Sequence, residues 1–183
     1  MRTLVVGVGN EDRGDDGLGP LAARLLGDRL APRQAGGAGA PAAGPAPAGP
    51  ASDDADDHPD GPSPDVEVVG WTSDPLGLLD RWDGVDRLVL IDAVVSGAAP
   101  GTTRRFGPDA PFARTSEAST HGLGLAEALA LGRALGRLPE RIEVWGIEAV
   151  EFTAGAPLTP AVAEAVLELV ARLDQELGQA TAA

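Results

Sequence analysis

The 183-residue chain contains no cysteine and no lysine. The absence of cysteine excludes disulfide bonds, a thiolate nucleophile, zinc ribbons and iron–sulfur clusters. All 14 basic residues are arginine, and 28 acidic residues outnumber them to give a net charge of −14. Since the phosphates of nucleic acids attract positively charged surfaces, this balance argues against a nucleic-acid partner.

Long apolar runs are also absent from the sequence. The apolar segment near the start, residues 3–9, is too short to cross a membrane and does not resemble a signal peptide. We therefore expect a cytoplasmic protein without a membrane partner. The length suits one domain over residues 1–183.

Residues 31–64 differ in composition from the rest of the chain. Of these 34 residues, 24 are alanine, glycine or proline, five are aspartate, and none is aromatic or an aliphatic residue larger than alanine. Such a segment cannot bury enough apolar surface to offset the ordering entropy, which is about 1–2 kcal/mol per residue for the backbone. We predict that it is a disordered surface insertion within the single domain.

Strand and helix patterns alternate along the remaining chain. Continuous apolar runs at Leu4–Val8 and Leu88–Ile91 predict buried strands, and apolar residues at helical spacing over 18–26 predict a helix capped by Asp15 or Asp16. The same kinds of pattern predict five more elements, which are strands at Val66–Val69, Thr102–Phe106 and Ile142–Ile147 and helices at Pro75–Arg81 and Gly122–Leu135.

The last helix has the clearest signals. Thr159 is expected to cap it, and Pro160 occupies its first position. Six apolar residues recur at helical spacing and form one face, namely Val162, Val166, Leu169, Val170, Leu173 and Leu177. The alternation as a whole predicts an α/β fold, a three-layer doubly wound and mostly parallel twisted sheet of about five strands with helices on both faces.

Three polar residues follow the predicted strands or open the predicted helices: Asp16, Asp92 and His121. The loops that carry them meet at the carboxyl edge of a parallel sheet, where ligands bind. Two carboxylates and an imidazole suit a divalent metal ion, and a helix start keeps His121 in the neutral form that binds metal. Taken singly, Asp16 also suits a helix cap, Asp92 a loop cap and His121 a structural role.

A glycine-rich turn after the first strand raises a dinucleotide site as an alternative. Gly7 and Gly9 match the first two glycines of that fingerprint, but the third position is Asp12. Asp12 lies near further acidic residues, Glu11 and Asp15, which would repel a pyrophosphate. We therefore exclude a dinucleotide and expect a cation at this loop.

Five blocks, in sequence order, resemble the [NiFe]-hydrogenase maturation endopeptidases. They are Val5–Asn10 with Gly14–Gly19, Ile91–Val94 with Pro100–Thr102, Thr120–Leu125, Gly146–Glu148 and Leu158–Pro160. The resemblance implies a protease that removes the C-terminal extension of a hydrogenase large-subunit precursor after nickel insertion and recognises the nickel held by that precursor.

On this resemblance, Asp16, Asp92 and His121 occupy the metal-contacting positions and are the expected catalytic residues. Nickel would be presented by the precursor, and zinc or another divalent ion could bind the same trio. Many relatives have an Asp-Gly-Gly segment where this chain has residues 70–74. This departure favours an alternative function on the same fold, a non-catalytic metal-binding chaperone or scaffold for hydrogenase maturation.

Overall fold

The computed structural model describes residues 1–35, 65–71, 75–107 and 120–180. Over these residues, the strands and helices follow the predicted order. The elements are β1 (Thr3–Val8), α1 (Leu18–Ala35), β2 (Val66–Trp71), α2 (Pro75–Arg81), β3 (Arg87–Val94), β4 (Thr103–Phe106), α3 (Thr120–Ala134), β5 (Arg141–Glu148) and α4 (Pro160–Ala180). A short 3-10 helix at Gly14–Gly17 precedes α1, and we call it the acidic turn because it contains Asp15 and Asp16.

The five strands form one sheet in the order β2-β1-β3-β5-β4. All neighbouring pairs are parallel except β4 and β5, which are antiparallel. Alternate residues of β1 enter different cores, since Val5 packs with α1 and α4, whereas Leu4 and Val6 pack with α2 and α3. Helices therefore cover both faces of the sheet, and the predicted three-layer α/β fold is confirmed.

The apolar runs in the sequence correspond to the centre of the sheet. Every residue of β1 and of β3 is buried, as expected for parallel strands that are covered on both faces. Helix α4 begins at Pro160, and the six apolar residues predicted for its inner face are all buried. Although α4 is 21 residues long, none of the described helices is both long and apolar enough to cross a membrane.

The predicted insertion starts too early in the sequence. Residues 31–35 continue α1, because a helix that is already nucleated extends at low cost, although Pro32 in this stretch donates no backbone hydrogen bond. Residues 36–64 lie outside the described residues. The disorder of that segment and the single-domain organisation stay predictions.

The predicted cap of α1 is wrong. Asp15 and Asp16 lie inside the acidic turn, and the residue directly before α1 is Gly17. The sequence pattern places an aspartate near the helix start correctly, but a 3-10 helix of four residues intervenes between the loop and α1. The two aspartates are therefore available for contacts outside their own helix.

The start of α1 lies directly against the sheet because glycines allow the backbones to meet. A Cβ atom at Gly19 would overlap the carbonyl oxygen of Val8 and would lie 2.8 Å from the carbonyl oxygen of Ile91. A Cβ atom at Gly7 would overlap the carbonyl oxygen of Gly19. Any larger residue at these positions would push α1, and the acidic turn with it, away from the strands.

Gly19→Ala is expected to lower the free energy of unfolding by about 3 kcal/mol, because the added methyl group overlaps backbone atoms of two strands. Gly27→Ala is the matched control in the same helix, since an added Cβ atom there meets nothing within 4 Å. The control is expected to gain about 0.5–1 kcal/mol from the higher helix propensity of alanine. Urea unfolding measures both changes, and an equal loss in the two variants would contradict the packing argument.

Candidate functional site

Asp92 lies on β3, the central strand of the sheet. The sequence predicts a strand that ends at Asp92, but β3 continues to Val94 because its pairing with β5 extends to Glu148. Asp92 is therefore inside the strand and only 7 % exposed. Its Oδ1 accepts a hydrogen bond of 2.8 Å from the backbone N–H of Ala93.

The surroundings of the Asp92 carboxyl group disfavour its charged form. Burial raises the pKa of Asp92 from 3.8 to about 7, although the Ala93 N–H opposes the rise, and the negative charge of Asp16 adds to it. The charges of the two carboxyl groups therefore interact unfavourably. A proton or a cation at this place would relieve the repulsion between them.

Asp16 reaches the same edge of the sheet from the acidic turn. The residue is 1 % exposed. The loop before the turn packs tightly, because a Cβ atom at Gly9 would overlap the Asp16 carbonyl oxygen and the φ angle of Gly9 is 143°, which side-chain-bearing residues rarely adopt. The close packing holds Asp16 at the carboxyl edge of the strands, where Asp92 also lies.

His121 is the second residue of α3, in agreement with its predicted place at a helix start. Its side chain lies outside the described residues. Among the side chains that the structure describes, no group of three or more histidine, aspartate or glutamate residues is arranged to hold a metal ion. Asp16 and Asp92 are both buried at the carboxyl edge of the sheet, and a metal-binding role for these two residues and for His121 stays a prediction.

Asp15 is fully buried and contacts the segment that joins β5 to α4. Its Oδ1 accepts a hydrogen bond of 2.7 Å from the backbone N–H of Thr159. Its Oδ2 accepts from the backbone N–H groups of Val150 and Glu151, both at 3.0 Å, and from the Thr159 hydroxyl at 3.2 Å. Asp15 thereby provides acceptors for backbone N–H groups that lie between a strand and a helix.

Glu148, at the end of β5, has a similar role toward the loop that follows β3. Its carboxylate accepts hydrogen bonds from the Ser96 hydroxyl at 2.7 Å and from the backbone N–H groups of Ser96, Gly97 and Ala98 at 2.7, 2.8 and 3.2 Å. Burial by itself disfavours the charge, but these hydrogen bonds outweigh it and hold the pKa of Glu148 below its usual value. The loop that follows the Asp92 strand is therefore fixed to β5.

Sequence reasoning missed the contacts of both Asp15 and Glu148. The sequence suggested only a helix-capping role for Asp15, because its hydrogen-bond partners lie 135 to 144 residues away in the sequence. Glu148 had no predicted role. Both residues fall within blocks that carry the family resemblance, and this is the signal in the sequence that could have identified them.

The fold and the site define a class of protein: a doubly wound α/β sheet with two buried, interacting carboxyl groups at its carboxyl edge. A family model described as hydrogenase maturation protease matches residues 59–176, which is more than half of the chain. The chain belongs to the hydrogenase maturation protease family. The matched range includes Asp92 and His121, whereas Asp16 precedes it.

Individual relatives agree with this assignment. The hydrogenase expression/formation protein HupD of Thiocapsa roseopersicina is 31% identical over 120 residues, which are 64% of this chain and 54% of HupD. The hydrogenase 2 maturation protease of Escherichia coli strain K12 is 33% identical over 105 residues, 56% of this chain and 63% of that protease. This chain therefore aligns with less than two thirds of either relative.

A solved structure extends the similarity to nearly the whole chain. The hydrogenase maturating endopeptidase HybD from E. coli superposes with a TM-score of 0.70 at 25% sequence identity. The superposition covers 98% of this chain and 94% of HybD. The similarity includes the β1–α1 region, which the family model does not match.

Proposed function

We propose that the protein is an endopeptidase that removes the C-terminal extension of a [NiFe]-hydrogenase large-subunit precursor after nickel insertion. Membership of the hydrogenase maturation protease family supports the reaction class. The assignment of the site rests on the buried pair Asp16 and Asp92, whose charges interact at the carboxyl edge of the sheet. Open α/β sheets bind their ligands at that edge. The expected cytoplasmic location stays a prediction.

Asp16, Asp92 and His121 are the proposed ligands of the nickel that the precursor presents, and the proposed catalytic residues. Three protein ligands leave further coordination positions for the groups by which the precursor itself holds nickel. A divalent ion can polarise a carbonyl group or lower the pKa of a bound water to about 7. The residues of this chain hold the substrate's metal and so position the scissile peptide bond beside it.

Selectivity for nickel is assigned to the precursor. Carboxylate and imidazole ligands do not distinguish nickel from zinc by softness, so zinc or another divalent ion is expected to bind the same three residues in vitro. A precursor that lacks nickel would lack the group that the protease recognises. Cleavage would then report that nickel insertion is complete.

Incubation of the purified protein with nickel-loaded and with nickel-free precursor tests this proposal. Mass spectrometry before and after incubation is expected to show C-terminal shortening of the nickel-loaded precursor alone. Equal cleavage of the nickel-free precursor would overturn recognition through nickel.

The same experiment separates the alternative function from the proposed one. A non-catalytic metal-binding chaperone or scaffold would bind the nickel-loaded precursor and leave its mass unchanged. The departure from the family pattern at residues 70–74 favours this alternative, and in the structure Trp71 ends β2 while residues 72–74 lie outside the described residues. If the protein binds the nickel-loaded precursor without shortening it, the result would overturn the endopeptidase function and support the chaperone or scaffold function.

A further inference from the structure

We propose that Asp15 is a positioning residue, whose carboxylate fixes the acidic turn to the segment Val150–Thr159 and thereby holds Asp16 beside Asp92. This inference rests on the proposed function, because it gives Asp16 a role in binding the substrate's nickel. Asp15 itself would not bind the metal. Its role is to fix the direction of the Asp16 side chain.

The hydrogen bonds of Asp15 distinguish it from a metal ligand. A carboxylate offers about four lone-pair positions to donors. Asp15 accepts four hydrogen bonds, three from backbone N–H groups and one from the Thr159 hydroxyl. Three of these donors lie on Oδ2 and one lies on Oδ1, so both carboxylate oxygens are already engaged by the segment Val150–Thr159.

Backbone hydrogen bonds attach the acidic turn to the same segment. The N–H of Asp15 donates to the carbonyl oxygen of Glu151 at 2.7 Å, and the N–H of Gly14 donates to that of Ala156 at 3.1 Å. Gly14 has a φ angle of 55°, and a Cβ atom there would lie 2.6 Å from the Glu151 carbonyl oxygen. The turn and the segment are therefore in direct backbone contact.

The geometry of the turn transmits this attachment to Asp16. A 3-10 helix has three residues per turn, so consecutive side chains leave it about 120° apart. When the Asp15 carboxylate is held by Val150, Glu151 and Thr159, the direction of the Asp16 side chain is fixed as well. Loss of the Asp15 side-chain hydrogen bonds would leave the turn held by its backbone contacts alone and would let the Asp16 carboxylate shift relative to Asp92.

Asp15→Asn is the main test, because the amide NH₂ group would face N–H donors and break part of the attachment. Titration calorimetry with Ni²⁺ alone is expected to show binding about tenfold weaker than in the wild type, the size of effect seen when residues behind metal ligands are replaced. The control Leu177→Ala removes a fully buried side chain near the other end of α4. It is expected to lower the melting temperature without changing Ni²⁺ affinity.

Thr159 provides a milder pair of variants. Thr159→Val removes one hydroxyl donor and is expected to weaken Ni²⁺ binding about two- to threefold, whereas Thr159→Ser keeps the hydroxyl and is expected to bind like the wild type. This pair tests the inference even where Asp15→Asn does not fold. Equal Ni²⁺ affinity of Thr159→Val and Thr159→Ser would overturn it.

Asp16→Asn distinguishes a failure of this inference from a failure of the proposed function. Weaker Ni²⁺ binding in Asp16→Asn, together with wild-type affinity in Asp15→Asn, would overturn the positioning role alone. Wild-type Ni²⁺ affinity in Asp16→Asn would overturn the proposed ligand set, and the positioning role with it.

Discussion

Asp92→Asn and His121→Ala are each expected to cleave the nickel-loaded precursor about 100- to 1,000-fold more slowly than the wild type, since a metal ion contributes several kcal/mol to transition-state stabilisation. Asparagine keeps the shape of Asp92 and its Oδ1 can still accept the hydrogen bond from Ala93. The main change is therefore the lost charge. His121→Ala removes the nitrogen ligand of the proposed trio.

Controls of the same chemical type are available for both variants. Asp80→Asn changes an aspartate on α2 whose side chain is 79% exposed, and His58→Ala changes the other histidine of the chain. Both controls are expected to cleave at the wild-type rate. A lower kcat in the site variants would assign the ligands to chemistry, and a higher KM would assign them to recognition. Wild-type kinetics in Asp92→Asn or His121→Ala would remove that residue from the site.

Asp92→Asn is also expected to stabilise the metal-free protein at alkaline pH. The pKa of Asp92 rises from 3.8 to about 7 in the folded protein, chiefly because the group is buried. An acid with a raised folded-state pKa contributes stability that is fully present below the unfolded-state value and is lost as the pH rises through the folded-state value. Ionised Asp92 therefore destabilises the fold by up to about 4 kcal/mol above pH 7, and asparagine removes this penalty.

Urea unfolding of the wild type and Asp92→Asn from about pH 5 to about pH 8 measures this difference. The advantage of the variant is expected to grow with pH and to level off above the pKa of Asp92. Asp80→Asn, which changes an exposed aspartate, is the control for the loss of one carboxylate. A constant difference between Asp92→Asn and the wild type across this range would contradict the effect of burial on Asp92.

The cleavage rate and the stability of Asp92→Asn are expected to change in opposite directions. The substitution that slows cleavage is expected to make the fold more stable, because a buried carboxylate is useful to a metal site and unfavourable without a cation. Such opposition between stability and activity is common at functional sites. It gives a criterion for a site in a protein of this family that does not depend on the hydrogenase precursor.

The sequence predicted the elements whose signals are local. The apolar runs of β1 and β3 and the Thr159-Pro160 start of α4 each specify an element within a few residues, and all three lie where they were expected. The predicted end of β3 was too early, because pairing with β5 extends the strand past its apolar run. An apolar pattern records burial, whereas the length of a strand also depends on its neighbour.

The sequence also predicted part of the candidate site. Parallel strands place their carboxyl ends at one edge, so the proximity of Asp16 and Asp92 follows from the order of elements. The contacts of Asp15 and Glu148 depend on loops distant in the sequence, and no short-range pattern encodes them. The prediction made from composition was also wrong at the end of α1, where residues 31–35 are helical although they belong to an alanine-, glycine- and proline-rich segment.

The attachment of the acidic turn has a consequence for the order in which the site forms. Asp16, Asp92 and His121 all belong to the first 121 residues, but the side-chain hydrogen bonds of Asp15 are donated by Val150, Glu151 and Thr159. A chain emerging from the ribosome cannot make these bonds until the start of α4 has been synthesised. The proposed orientation of Asp16 thus depends on a segment that is synthesised after all three residues of the site.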